Sequence, residues 1–179
     1  MREELDALWA ERWPTTPPVG HLLCDLHRDR WVRFHSLPES KRYPDSQEEY
    51  VTILSSHHAL LAELGLAGRC FVLAMPPAPR ESAVLPRAEL WRTVPPIHGE
   101  ELEIAVYATE SQPPSEELDA LIRAVVDEEL VGMIIVPPAR CWLYHPYDGG
   151  ADVVAESPEA RDVLRERFRA WLSVHPSGL

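Results

Sequence analysis

Lysine is almost missing from this chain of 179 residues: of 17 basic side chains, Lys41 is the sole lysine and the others are arginine. Cysteine is scarce too, with Cys24, Cys70 and Cys141 widely spaced and no CxxC pair among them. An odd, scattered set gives neither a disulfide framework nor zinc-ligand spacing, so buried reduced thiols are expected and no metal site. No apolar run approaches the ~18 residues that a membrane span needs. The opening Met1-Arg2-Glu3-Glu4 leads into an acidic amphipathic segment rather than a signal peptide, so no membrane association and a cytoplasmic location are expected. The P-loop, the Gly-rich dinucleotide fingerprint, the GxSxG elbow and the kinase signatures are all absent. Enzyme classes that advertise themselves in those ways are excluded, and no cofactor is expected.

What is abundant is acid and proline. The formal net charge is −12, and it is unevenly spread. Residues 1–43 carry 7 basic and 7 acidic groups, residues 44–139 carry 5 and 16, and residues 140–179 carry 5 and 6. A middle segment at −11 repels phosphate backbones, which disfavours nucleic acid and leaves a basic protein as the natural partner. The plainer alternative is that the acid keeps the protein soluble. The 18 prolines fall mostly in pairs, such as Pro17–Pro18, Pro95–Pro96 and Pro137–Pro138, and read as stiff boundaries between elements.

Periodicity supplies the elements. Leu5, Leu8, Trp9 and Trp13 share one face of a helix over 3–13, and Val32 and Phe34 alternate inward on a strand over 31–36. Ser46 and Glu49 form a capping box before a helix whose seam is Tyr50, Leu54, His57, Leu61 and Leu64, with Gly65 as its stop. Strands are expected at 70–75, 88–94, 102–109 and 132–136, with 76–88 a loop. Ser115 caps a helix with Leu118, Leu121, Ile122, Val125 and Val126 on its buried face. A hairpin pairs 141–145 with 151–155 around the loop Pro146-Tyr147-Asp148-Gly149-Gly150. Ser157 and Pro158 then open a last helix with Val163, Leu164, Phe168, Trp171 and Leu172 on its apolar side. Strands and helices do not alternate strictly. The pattern therefore implies one α+β domain over 1–179, a mostly antiparallel sheet of about five to seven strands with about four helices packed on it.

Two stretches are denser in polar chemistry than a scaffold needs. In the first, Arg33 and His35 leave a strand face, and a loop then presents Glu39, Lys41, Arg42 and Tyr43 before the capped helix. Cations beside a histidine and a helix start suit a carboxylate or phosphate. In the second, His145, Tyr147, Asp148 and Asp152 combine a histidine with carboxylates, an arrangement used for proton transfer. The plainer alternatives are a solvated strand face and a turn, because Asp-Gly-Gly is above all turn chemistry. His57 and the tryptophans Trp31, Trp91, Trp142 and Trp171 read as core.

The runs Arg-Phe-His-Ser-Leu-Pro-Glu-Ser-Lys-Arg-Tyr-Pro at 33–44 and Tyr-His-Pro-Tyr-Asp-Gly-Gly-Ala-Asp at 144–152 resemble a family of bacterial domains of unknown function. The likeness extends over roughly residues 31–173 and carries no catalytic residues with it. Two functions are in play. One is an acidic protein-binding domain, immunity-like or antitoxin-like, that blocks a basic partner. The alternative is an enzyme or ligand-binding domain in which Arg33, Lys41 and Arg42 hold an anion beside His145 and Asp148.

Overall fold

The computed structural model describes residues 1–75, 85, 87–96 and 102–173, so most of the loop expected at 76–88 lies outside the described residues. Helix α1 (Arg2–Arg12) comes first, then a 3-10 turn at Gly20–Leu22 running into the single-turn α2 (Leu23–Leu26). Strand β1 (Trp31–His35) is followed by α3 (Gln47–Glu63), β2 (Cys70–Met75), β3 (Glu89–Val94) and β4 (Ile104–Ser111). Helix α4 (Glu116–Val126), strands β5 (Val131–Val136), β6 (Leu143–Tyr147) and β7 (Gly150–Val154), and α5 (Pro158–Arg167) complete the order. The seven strands form one antiparallel sheet in the order β1-β7-β6-β5-β2-β4-β3. An α+β fold results, with five α-helices among the described residues, four of them long and one a single turn.

The sheet is covered on both faces, which is why β2 reads as a continuous apolar run and β7 is buried throughout. On one face Val32, Phe34, Val72, Ile135 and Tyr144 meet α3, α4 and α5 through Leu61, Leu121 and Leu164. On the other, Phe71, Leu73, Val106 and Leu143 meet α1 and the segment after it through Leu5, Trp9, Trp13 and Leu23. Trp9 packs edge-on to Trp91 with ring centroids 5.5 Å apart, and its indole N–H donates to the Thr16 carbonyl at 2.8 Å. Each large apolar side chain buried in this way contributes about 1.5–3 kcal/mol.

The three serine caps act as read: Ser46, Ser115 and Ser157 accept from the backbone N–H of Glu49, Leu118 and Ala160. Glu49, however, accepts from the N–H of Asp45 rather than that of Ser46, so the box closes one residue early. The hairpin is also tighter than its sequence implies. Pro146 and Tyr147 lie inside β6, and only Asp148–Gly149 remain as the turn. Pairing of β6 with β5 is confined to Ile135 and Tyr144, so the missing N–H of Pro146 breaks no ladder on that side. Val163 points outward at 60% exposure instead of joining the apolar side of α5, and Trp171 is only half-buried. Of the cysteines, Cys70 is buried while Cys24 and Cys141 are half-buried, and all three are free. Among the described residues, no helix is long and apolar enough to cross a membrane.

Candidate functional site

The antiparallel pairing makes neighbours of the two polar stretches. Arg33 on β1 lies opposite Asp152 on β7, and Asp152 lies opposite His145 on β6. The Asp152 carboxylate is 1% exposed and accepts two bonds from Arg33, from Nε at 2.7 Å and from Nη2 at 2.8 Å. A bidentate pair of this kind has strong geometric demands. The guanidinium also lies over the Tyr147 ring at 4.6 Å, and the Tyr147 hydroxyl stands 3.2 Å from His35 Nδ1.

His145 is buried on the same face. Its Nδ1–H donates to the Met133 carbonyl at 2.7 Å, and burial holds the ring below the ordinary histidine range, so it is neutral with Nε2 as its acceptor. The ring is clasped by Gly20, where an added Cβ would fall 2.3 Å from His145 Cε1. Gly150 is constrained as tightly, since a Cβ there would lie 2.0 Å from the Phe34 carbonyl oxygen. His35 is likewise lowered by burial and then by Arg33, whereas burial raises the Tyr147 hydroxyl. All three shifts favour uncharged rings packed around one buried ion pair.

The loop after β1 folds over the β6–β7 turn, with the Ser36 N–H donating to the Gly149 carbonyl at 3.0 Å. It sets Arg42 on the Asp148 carboxylate and lets the Tyr43 hydroxyl donate to Glu128 at 2.8 Å. Arg42, Glu128, Val131, His145, Tyr147 and Asp148 line a cleft of about 220 Å³. Four of the residues nominated by sequence thus share a cleft, and Arg33, His35 and Asp152 sit beside His145 and Tyr147 on the adjoining sheet face. Lys41 is elsewhere, held between Asp45 at 2.8 Å and Glu49 at 2.6 Å. Glu39 is exposed in a left-handed turn with Ser40. Arg33, Lys41 and Arg42 each already face a carboxylate, so an incoming anion would have to displace one. Among the described residues, no three His, Cys, Asp or Glu side chains gather to hold a metal ion.

The electrostatics change on the outer helices. Residues 45–63 and 116–129, which are α3 and α4 with their flanks, carry ten carboxylates against one arginine, Arg123. Asp45, Glu49, Glu63, Glu117 and Asp119 have ion-pair partners in Lys41, Arg167, Arg87 and His58. Among the described residues Glu48, Glu116, Asp127, Glu128 and Glu129 have none.

Three of those five, Asp127, Glu128 and Glu129, are exposed at the carbonyl end of α4, where the helix dipole disfavours negative charge. Hydroxyl donors from Tyr50 and Tyr43 reach Asp127 and Glu128, but no cation does. Glu128 is moreover left-handed at φ 59°, in the position after a helix that ordinarily goes to glycine. Exposed Val131 and Tyr43 adjoin this acidic end. Sequence reading nominated Tyr43 and counted this acid within the negative middle segment, but did not single out Asp127-Glu128-Glu129, although acid placed directly behind Val126 against the dipole was a visible signal.

Among curated proteins and among solved structures, nothing matches this chain. The family of the domain of unknown function DUF3885 matches residues 19–176, and the chain belongs to that family.

Proposed function

We propose that this chain is a cytoplasmic bacterial protein-binding domain, immunity-like or antitoxin-like, whose acidic α3–α4 layer blocks a basic partner. The observation that carries the reading is the excess charge of that layer: of its ten carboxylates five have no ion pair among the described residues, and three of those are Asp127-Glu128-Glu129 against the α4 dipole. The scaffold gains two hydroxyl bonds there, from Tyr50 to Asp127 and from Tyr43 to Glu128, but neither neutral donor cancels the charge that opposes the helix. A basic partner turns that charge into attraction. Complementary charge of this sort accelerates encounter and selects the partner more than it sets affinity. The tyrosines and Val131 beside the acid supply apolar contact of the kind that anchors protein interfaces. Nucleic acid is disfavoured by the same field.

The anion-holding alternative has less support, because the three cations it requires are engaged with Asp152, Asp45, Glu49 and Asp148. The test is parallel capture from native lysate with the wild-type chain and with the triple variant D127N/E128Q/E129Q, at low and moderate salt. The expected result is a stoichiometric basic protein that salt releases and that the variant loses. Equal retention of that protein by the variant, or an acidic partner, sinks the proposal.

A further inference from the structure

A second cleft lies away from the acidic end of α4. It has a volume of about 330 Å³ and opens between the end of α3, the loop after β5 and helix α5. That volume is at the lower end of the roughly 300–1,000 Å³ spanned by small-molecule sites, so only a small occupant fits. Its floor is apolar, from the buried Trp142 and Leu164, and the outward-pointing Val163, 60% exposed, stands at its rim. Trp142 is fixed in place because its indole N–H donates to the Leu64 carbonyl at 2.9 Å.

Two opposite charges line the same cleft and do not pair with each other. Arg140 has no carboxylate partner among the described residues, although the chain is strongly acidic. Its guanidinium rests on the backbone at Gly65, where an added Cβ would fall 3.2 Å from Nη2. The loop that carries it is clamped from across the fold by Arg12, which donates to the Arg140 carbonyl at 2.6 Å and to the Pro138 carbonyl at 3.0 Å. Glu156 accepts one bond, from the Cys141 N–H at 3.2 Å, and has no ion pair among the described residues. The other lining carboxylate, Glu63, is taken by Arg167 at 2.9 Å. An exposed cation and an exposed anion, left unpaired at the edge of an apolar cleft, suit a ligand that brings the opposite pair and an apolar group.

We propose that this cleft binds a free α-amino acid with an apolar side chain. Its carboxylate accepts from the Arg140 fork, its ammonium donates to Glu156, and its side chain covers Trp142 and Val163. This site is independent of the acidic layer and survives the failure of that reading.

The experiment titrates the full chain with L-leucine and follows the Trp142 indole and Gly65 amide resonances by NMR. Saturable shifts at both positions are expected. N-acetyl-L-leucine and L-leucinamide, each lacking one charge, should bind roughly ten- to a hundredfold more weakly, the usual effect of deleting a charge-assisted bond. Arg140→Gln and Glu156→Gln should weaken L-leucine by a similar factor while leaving the unfolding transition in place. The proposal is overturned if no saturable shift develops by about 10 mM, which marks binding weaker than millimolar. It is equally overturned if the two blocked analogues bind as well as L-leucine, since apolar contact alone would then explain the shifts.

Discussion

The corner formed by β1, β6 and β7 and the outer layer formed by α3 and α4 treat charge in opposite ways. In the corner Arg33 and Arg42 each meet a carboxylate, and Asp152 is buried under Arg33, which lies over the Tyr147 ring. In the outer layer carboxylates outnumber arginine by ten to one, and the excess collects where the α4 dipole opposes it. Helix α5 provides an internal control. It too starts with a serine cap, but its three acids are balanced by three arginines, with Arg165 and Arg167 at the carbonyl end as the dipole favours. The chain therefore builds an electrostatically consistent helix where only stability is at issue. The departure at α4 is local, and it is there that an external partner has something to recognise.

The contrast breaks most sharply at Asp152. Replacing it by alanine leaves the half-buried Arg33 without its counter-charge, and about 2–3 kcal/mol of stability should be lost. Urea denaturation measures this, and a loss below 1 kcal/mol would mean that solvent already screens the pair. Partner capture by whatever variant remains folded should be unchanged.

A second effect separates the inner side of α3 from its acidic outer side. His57 is buried, its Nδ1 lies 2.6 Å from the Tyr144 hydroxyl, and burial lowers its pKa from 6.5 to about 3. The folded state keeps this ring neutral while the unfolded chain protonates it. The stability it confers is thus complete above pH 6.5 and is lost as pH falls toward 3. Linkage predicts a loss of about 2 kcal/mol between pH 7 and pH 5. His35 and His145, lowered in the same direction, add to the slope. His57→Phe should flatten that part of the curve, and an unaltered pH dependence would remove His57 as its source.

The smallest effect has the most diagnostic sign. Glu128→Gly relieves a left-handed glutamate, but it adds glycine's unfolded-state entropy and returns the exposed Tyr43 hydroxyl to water, for a net gain of about 1 kcal/mol or less. The same change should weaken capture of the basic partner. A variant that is more stable and binds less well would place α4's end under selection for recognition; one that loses stability would assign Glu128 a structural role.

Local rules were legible in the sequence and long-range ones were not. Ser46, Ser115 and Ser157 could be read as caps because a cap involves residues three apart, and the inward pair Val32 and Phe34 because alternation is local to a strand. Pro146 misled, since a proline reads as a boundary unless one knows that its neighbour strand stops pairing at Tyr144. The strand order, and with it the meeting of Arg33 with Asp152 across more than a hundred residues, depends on which edges pair, and no short pattern encodes that. Gly20 shows the same limit: nothing near it in sequence announces that a histidine ring from β6 will fill the space where its side chain would be. The cleft with Arg140 and Glu156 was invisible for a related reason, because its walls come from α3, the β5–β6 loop and α5.

Helix α1 lies outside the segment that defines the family, which begins at residue 19, yet Leu5, Trp9 and Trp13 fill the core beneath Phe71 and Trp91. Arg12, from the same helix, ties down the loop at Pro138 and Arg140. The recognisable segment is therefore not a self-sufficient unit of this protein. Cut at residue 19, it would bare the inner tryptophan layer to water and offer a sticky apolar face. In this protein the lid over that side of the sheet is α1 itself, supplied from outside the shared segment.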